Sequence, residues 1–484
     1  MKRVRSKIAL VCLPVLATVL MSARGSADGH PSSRTILVSR TADGQQGNGV
    51  SAYPAISGNG RFVAFQSTAT NLSPLATDGT QQVYLLDCRT NAVELVSRNR
   101  ASVAGNEESS APAISFDGRY VAFWSHADNL VPDDTNESRD VYVYDRLTDD
   151  IERVSVSDAG EQGTGVDDSE ELEEHGGLHA IEGHPPSISG DGRFVAFWTG
   201  LNGLVAGDND GVIDVFVHDR WSRTTRRISQ GRNGVPADGS SRHAEISGSG
   251  NVIVFDSEAT NLVLDDTNGK MDIFAYDLVR RRLTRLTRAV DGGPTNDDSL
   301  EPHVDFSGRS VVFTSWANNI VANDANNTRD AFVVDRVTSQ VEMVSVRSDG
   351  SQFAAPTFEA GPSPDGRYVA MMTLASIVPQ ATANLFLFDR HTKQLEMINV
   401  NSQGQPGDPI VIGSIFEPIV DPSVPAMTPG ATAVAFWTTA ANLVSGDTNG
   451  VGDVFIRERN RHHDDRDHGK GHDKDDDKNK GKDK

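Results

Sequence analysis

Five short stretches of this chain repeat one arrangement of oxygen-bearing side chains. With the spacing Asp-x-Asn/Asp-x3-Asp they are Asp134, Asn136, Asp140; Asp208, Asp210, Asp214; Asp266, Asn268, Asp272; Asp324, Asn326, Asp330; and Asp447, Asn449, Asp453. Oxygens at the first and third positions of a tight loop can converge on a hard cation, with the later Asp and backbone carbonyls adding ligands, so calcium is one reading. The stretches lack the extra acids and the terminal bidentate Glu of a full calcium loop. Asp and Asn also close turns by bonding nearby backbone amides, and that turn-capping reading is preferred. Two equivalent places, Ala76/Asp78/Gln82 and a shortened loop in the sixth unit, depart from the pattern.

A second cluster lies in "DDSEELEEHGGLHAIEGH", where His175, His179, Glu182 and His184 offer imidazole and carboxylate ligands to a transition metal. The plainer reading is an exposed acidic loop. No G-x-S-x-G elbow, H-E-x-x-H helix or P-loop occurs, so no catalytic or cofactor-binding residue is assigned. The enzyme alternative is a lyase or glycoside hydrolase with carboxylates from several units meeting in one cavity, roughly 5–10 Å apart.

The elements that carry these loops repeat too. Aligned on "VAF" or its equivalent, Phe65, Phe123, Phe197, Phe255, Phe313, Met371 and Phe436 fall at intervals of 58, 74, 58, 58, 58 and 65 residues. The long intervals exceed 58 by insertions of 16 and 7, and a fixed period marks a repeat architecture. Each unit holds four segments of period-2 alternation, such as "APAIS", "RYVAFWS", "DVYVYD" and "IERVSVS", which read as strands. Dipeptides such as Asp117-Gly118 join the first two, and Asp145-Arg146 and its copies close the turn to the fourth. Seven four-stranded antiparallel meanders predict an all-β, seven-bladed β-propeller. Its blades lie near 51–99, 108–157, 183–231, 240–289, 299–348, 355–402 and 423–460. The last unit stops after its third strand, and "SSRTILVSR" matches the fourth-strand phrases. Residues 34–40 are therefore expected to complete the last blade and close the ring.

The phrases "PAISFDGRYVAFWS", "PPSISGDGRFVAFWT" and "GPSPDGRYVA", each followed by an aromatic strand ending in Asp, resemble the TolB-type, WD40-like propeller repeat of exported bacterial proteins. The resemblance covers about residues 34–460 and implies an envelope or secreted propeller. It departs from TolB, which carries an α/β domain before six blades, so TolB's role with peptidoglycan-associated lipoprotein is not carried over. Related propellers also precede the catalytic domain of prolyl-oligopeptidase-like peptidases, but here only a charged tail follows residue 460.

Composition bounds the rest. Residues 1–27 have a basic start (Lys2, Arg3, Arg5, Lys7) and an apolar run from Ile8 to Met21, the layout of a cleaved secretory signal. Export to the periplasm or beyond the cell is expected, and Cys88 is then the one remaining cysteine, so stability comes from packing rather than disulfides. Residues 461–484 lack apolar side chains and are expected to be disordered. The formal charge of −22 becomes about −27 without the two ends, which repels nucleic acid and anionic lipid. A monomer binding a protein or envelope polymer is expected, with no stable membrane insertion.

Overall fold

The computed structural model describes residues 33–165, 184–209, 211–374, 384–408 and 424–459. The expectations for the signal segment, for most of the two insertions and for the charged tail fall outside these residues, as does Asp210. The described strands form seven four-stranded antiparallel sheets. The first runs β2 (Ser51–Ile56), β3 (Phe62–Ser67), β4 (Gln82–Asp87), β5 (Ala92–Leu95), and the order of strands in each sheet follows the chain.

The last sheet is the exception that closes the ring. It holds β26 (Ala426–Met427), β27 (Ala433–Thr438) and β28 (Asp453–Glu458), and its outer strand is β1 (Arg34–Leu37) from the other end of the chain. Arg34 pairs with Glu458 and Leu37 with Phe455. Beyond the strand, the Val38 amide donates to the Val454 carbonyl at 2.8 Å and the Ser39 hydroxyl to Asp453 at 2.6 Å. The expected non-covalent seam is present.

The repeated "VAF" phenylalanine explains why sheets stand face to face. Each second strand is sandwiched between neighbouring blades, so both of its faces are buried: all six residues of β3 are. In six blades this Phe stacks on an aromatic of the third strand, from Phe65–Tyr84 at 5.9 Å to Phe255–Phe274 at 5.6 Å. Such pairs contribute about 0.5–1.5 kcal/mol beyond the area they bury. The apolar clusters join adjacent blades, as where Trp198 and Val215 meet Ile253 and Phe255.

The turns follow their residue types. Gly118 adopts φ 75° and its amide returns to the Ser115 carbonyl at 2.9 Å, while Asp117 accepts from the Ser115 hydroxyl and the Arg119 amide. Arg119 then reaches over to Asp145 with two bonds of 2.9 and 2.6 Å. The same clamp joins Arg61 to Asp87, Arg193 to Asp219, Arg309 to Asp335 and Arg367 to Asp389.

The inner strands β2, β6 (Ser109–Ile114), β10 (Ser187–Ile188), β14 (Ser241–Ile246), β18 (Ser299–Val304), β22 (Thr357–Pro362) and β26 line the channel. Five of them slip register by a bulge, and four of these leave Tyr53, Ala111, His243 and Glu301 at positive φ between 48° and 54°. Bulges re-aim a side chain, and here they occur where the strand meets the channel. A neighbouring blade stabilises each strained turn it can reach: Gln66 accepts the Ala111 amide at 2.8 Å, and Asp256 that of Glu301 at 3.0 Å.

Candidate functional site

The Asp/Asn loops stand on the rim, between the second and third strands of their blades. The middle Asn works as a turn staple: Asn136 Oδ1 accepts the Ser138 amide at 3.2 Å, and Asn268, Asn326 and Asn449 do the same two residues on. The final Asp opens the third strand and is buried in all five blades. It accepts a hydroxyl from the fourth-strand phrase: Ser155 on Asp140, Ser229 on Asp214, Thr287 on Asp272, Ser345 on Asp330 and Ser39 on Asp453.

In three blades an arginine then joins the first and last Asp. Arg153 bridges Asp134 and Asp140, Arg227 bridges Asp208 and Asp214, and Arg285 bridges Asp266 and Asp272. A guanidinium thus supplies the positive charge that the carboxylates ask for. In the last blade the Gln46 amide bonds Asp447 and Asp453 instead. Burial first, then repulsion between the two acids, pushes Asp266 up to about 6; burial outweighs its neighbours in raising Asp140 to about 6 as well.

The channel holds a second concentration of titratable groups, which sequence reasoning found only in part. A cavity of about 300 Å³ opens there, walled by prolines and by Phe116 and Phe306, whose rings meet edge to face at 4.8 Å. On one side of the ring the lining is small and apolar, with Ala55, Ala113 and Ala426. Blades three to six place His184, His243, Glu245, His303 and Glu359 on the other side, with Glu301 close to His184 and Glu359.

These groups are bonded to one another. His303 Nδ1 lies 2.6 Å from Glu245 Oε2, and its Nε2 lies 3.8 Å from Glu359 Oε2. His243 Nδ1 is 2.6 Å from Asp256, and the His243 and His184 rings are 4.1 Å apart. Arg329 bonds Glu301 and lies over the Trp316 ring at 4.8 Å. Glu301 and Glu359 are each 2% exposed. Burial by itself would lower His303, but the charge and hydrogen bond of Glu245, joined by Glu359, push it up to about 10.

One ligand atom each from His184, Glu301 and Glu359 lies within 4.8 Å of the others. Ligand atoms around a transition metal stand roughly 3–3.5 Å apart, given bonds of about 2.0–2.2 Å, so small side-chain movements complete the set. Of the histidine-rich insertion only His184 falls among the described residues, and the structure brings it to the channel rather than to a surface loop. Its partners were missed. The signal lay in the first-strand phrase, where "APAIS" and "YPAIS" give way to "RHAEIS", "LEPHVD" and "FEAGPS" in blades four to six.

No family model matches this chain, and no curated protein does. Among solved structures it is similar to an oligogalacturonate lyase in complex with manganese, at 11% identity over 88% of this chain and 93% of that one, TM-score 0.52. It is also similar to the β-propeller domain of the Trilobed protease from Pyrococcus furiosus (12% identity, 87% and 98% covered, TM-score 0.46). TolB from Acinetobacter baumannii matches at 15% identity over 72% of this chain and 62% of that one, with a TM-score of 0.37. At these identities the likeness is one of fold.

Proposed function

We propose that this protein is an exported binding propeller whose ligand site is the polar half of its channel, where His184, Glu301 and Glu359 hold a divalent transition-metal ion. The observation that carries the reading is the convergence of those three side chains, from three blades, at one place beside the channel cavity. In this cluster four carboxylates, Glu245, Asp256, Glu301 and Glu359, face the Arg329 guanidinium and three imidazoles. Arg329 and the protonated His303 offset part of this negative charge, and a bound cation would offset the rest. One imidazole with two carboxylates suits manganese, iron(II) or zinc.

A bound ion would present its open positions to an oxygen donor entering the channel cavity. A protein segment or a chain end of an envelope polymer fits a cavity of about 300 Å³ better than a bulky cofactor does. Residues 1–27 support export, and the acidic body supports a partner other than nucleic acid.

Titrating the chelator-treated protein with manganese or zinc tests this calorimetrically. One ion per chain is expected at this site, with affinity falling at least tenfold in Glu359→Gln and in His184→Ala. Equal binding by the wild type and both variants would refute the site. Recovery of a cross-linked envelope component with metal, and its loss in Glu359→Gln, would identify the partner.

A second reading, a lyase or glycoside hydrolase, is favoured by the Glu245–His303–Glu359 chain, which offers an acid and a base in one cavity. Release of reducing ends from acidic or neutral polysaccharides, abolished by His303→Ala, would favour it over binding alone.

A further inference from the structure

The repeat contains its own control experiment. In blade two a single nitrogen, Arg153 Nη1, lies 2.7 Å from Asp134 Oδ1 and 3.3 Å from Asp140 Oδ2. In blade four Arg285 Nη1 lies 3.4 and 3.2 Å from the corresponding Oδ1 and Oδ2 atoms. In blade seven the place of the arginine is Leu37, and Gln46 Nε2 takes over, at 2.7 Å from each oxygen.

Blade five keeps both carboxylates but neither substitute. The residue facing Phe332 across the outer ladder is Met343, where Tyr142 faces Arg153 in blade two. Gln352, the counterpart of Gln46, turns its amide to the Asn323 carbonyl at 3.1 Å. Asn326 donates to the Phe353 carbonyl at 3.0 Å. Asp324 Oδ1 and Asp330 Oδ2, the two oxygens that one nitrogen joins in the other blades, are buried here with no hydrogen bond of good geometry among the described residues, although the Asn326 side chain lies close to Asp330. Asp330 is 0% exposed.

We propose that the Asp324–Asp330 pair of blade five binds a hard divalent cation of calcium's kind, at the spot where its sister blades hold an arginine or an amide. A buried carboxylate beside a second, part-buried one needs a counter-charge or a proton. The two donors are carboxylate oxygens, which suits calcium rather than a softer metal. Of the five loops that carry the motif, the geometry selects one, independently of the channel.

Calcium chloride titrated into the chelator-treated full-length chain is the test, read by calorimetry and by thermal unfolding in EDTA and in millimolar calcium. One ion per chain bound at this loop and a calcium-dependent rise of about 3 °C or more are expected. Met343→Arg supplies the missing guanidinium; it should raise the melting temperature in EDTA and abolish the calcium response. Asp330→Asn should also lose the bound ion, whereas His184→Ala, in the channel, should keep it. No calcium response in the wild type, or a response surviving in both Met343→Arg and Asp330→Asn, would overturn the proposal.

Discussion

Arg153 and Met343 stand at one position of one repeat, and the difference between them changes what two aspartates need. Arg153, Asp134 and Asp140 have side chains 8%, 5% and 0% exposed. Removing the cation of such a buried pair leaves uncompensated charge and costs about 3–5 kcal/mol. Arg153→Met should therefore lower the denaturant midpoint markedly, and millimolar calcium should recover part of the loss by recreating the blade-five arrangement in blade two. A variant as stable as wild type without calcium would show that these arginines are dispensable. The same lesson holds in the channel, where Ala55 and Ala113 of two blades are Glu245 and His303 of two others. The residues that can do chemistry are the ones that break the repeat.

At the scale of the element, the second and third strands are held at their ends by the arginine that follows the Asp-Gly, Asn-Gly or Ser-Gly turn. The clamp at Asp87 is led by the Arg61 hydrogen bond, which holds that carboxyl well below its usual range. At Asp145, Asp219, Asp335 and Asp389 burial works upward, but arginine and turn amides outweigh it and all four are lowered, Asp219 to about 2. A carboxyl lowered in the folded state contributes stability above its unfolded value of about 3.9, and loses it as pH falls toward its folded value. The clamps' own contribution to the melting temperature should accordingly be flat above about pH 5 and drop between about pH 4 and pH 2. In Arg193→Gln part of that acid-side slope should vanish, while a slope unchanged by the substitution would remove the clamp from the account. These clamps were invisible in the alternating pattern, because the arginine and its aspartate are 26 residues apart in sequence.

For the molecule as a whole, closure rests on four strand residues at one end of the chain, with Val38 and Ser39 buried just beyond them. Deleting residues 33–40 would expose the edge of β28 and leave the last blade without its outer strand, an opening that invites pairing between chains. Such a chain should melt well below the full-length protein and form concentration-dependent oligomers by light scattering; a monomer with unchanged melting would contradict the role of the seam.

The architecture was legible in the sequence because it depends on local and periodic signals. Alternation sets which face of a strand is buried, Gly after Asp or Asn permits the left-handed turn, and a constant period forces identical neighbours to stack. The orphaned third strand even announced its partner at the other terminus. Which loops keep a need for a cation was not legible, since Arg153 lies 13 residues past Asp140 on another strand and only pairing across β8 (Asp140–Asp145) and β9 (Asp150–Arg153) brings them together. The channel cluster depended still more on the closed ring. His184, Glu301 and Glu359 belong to three blades, more than a hundred residues separate the first from the others, and the curvature of the ring makes them neighbours.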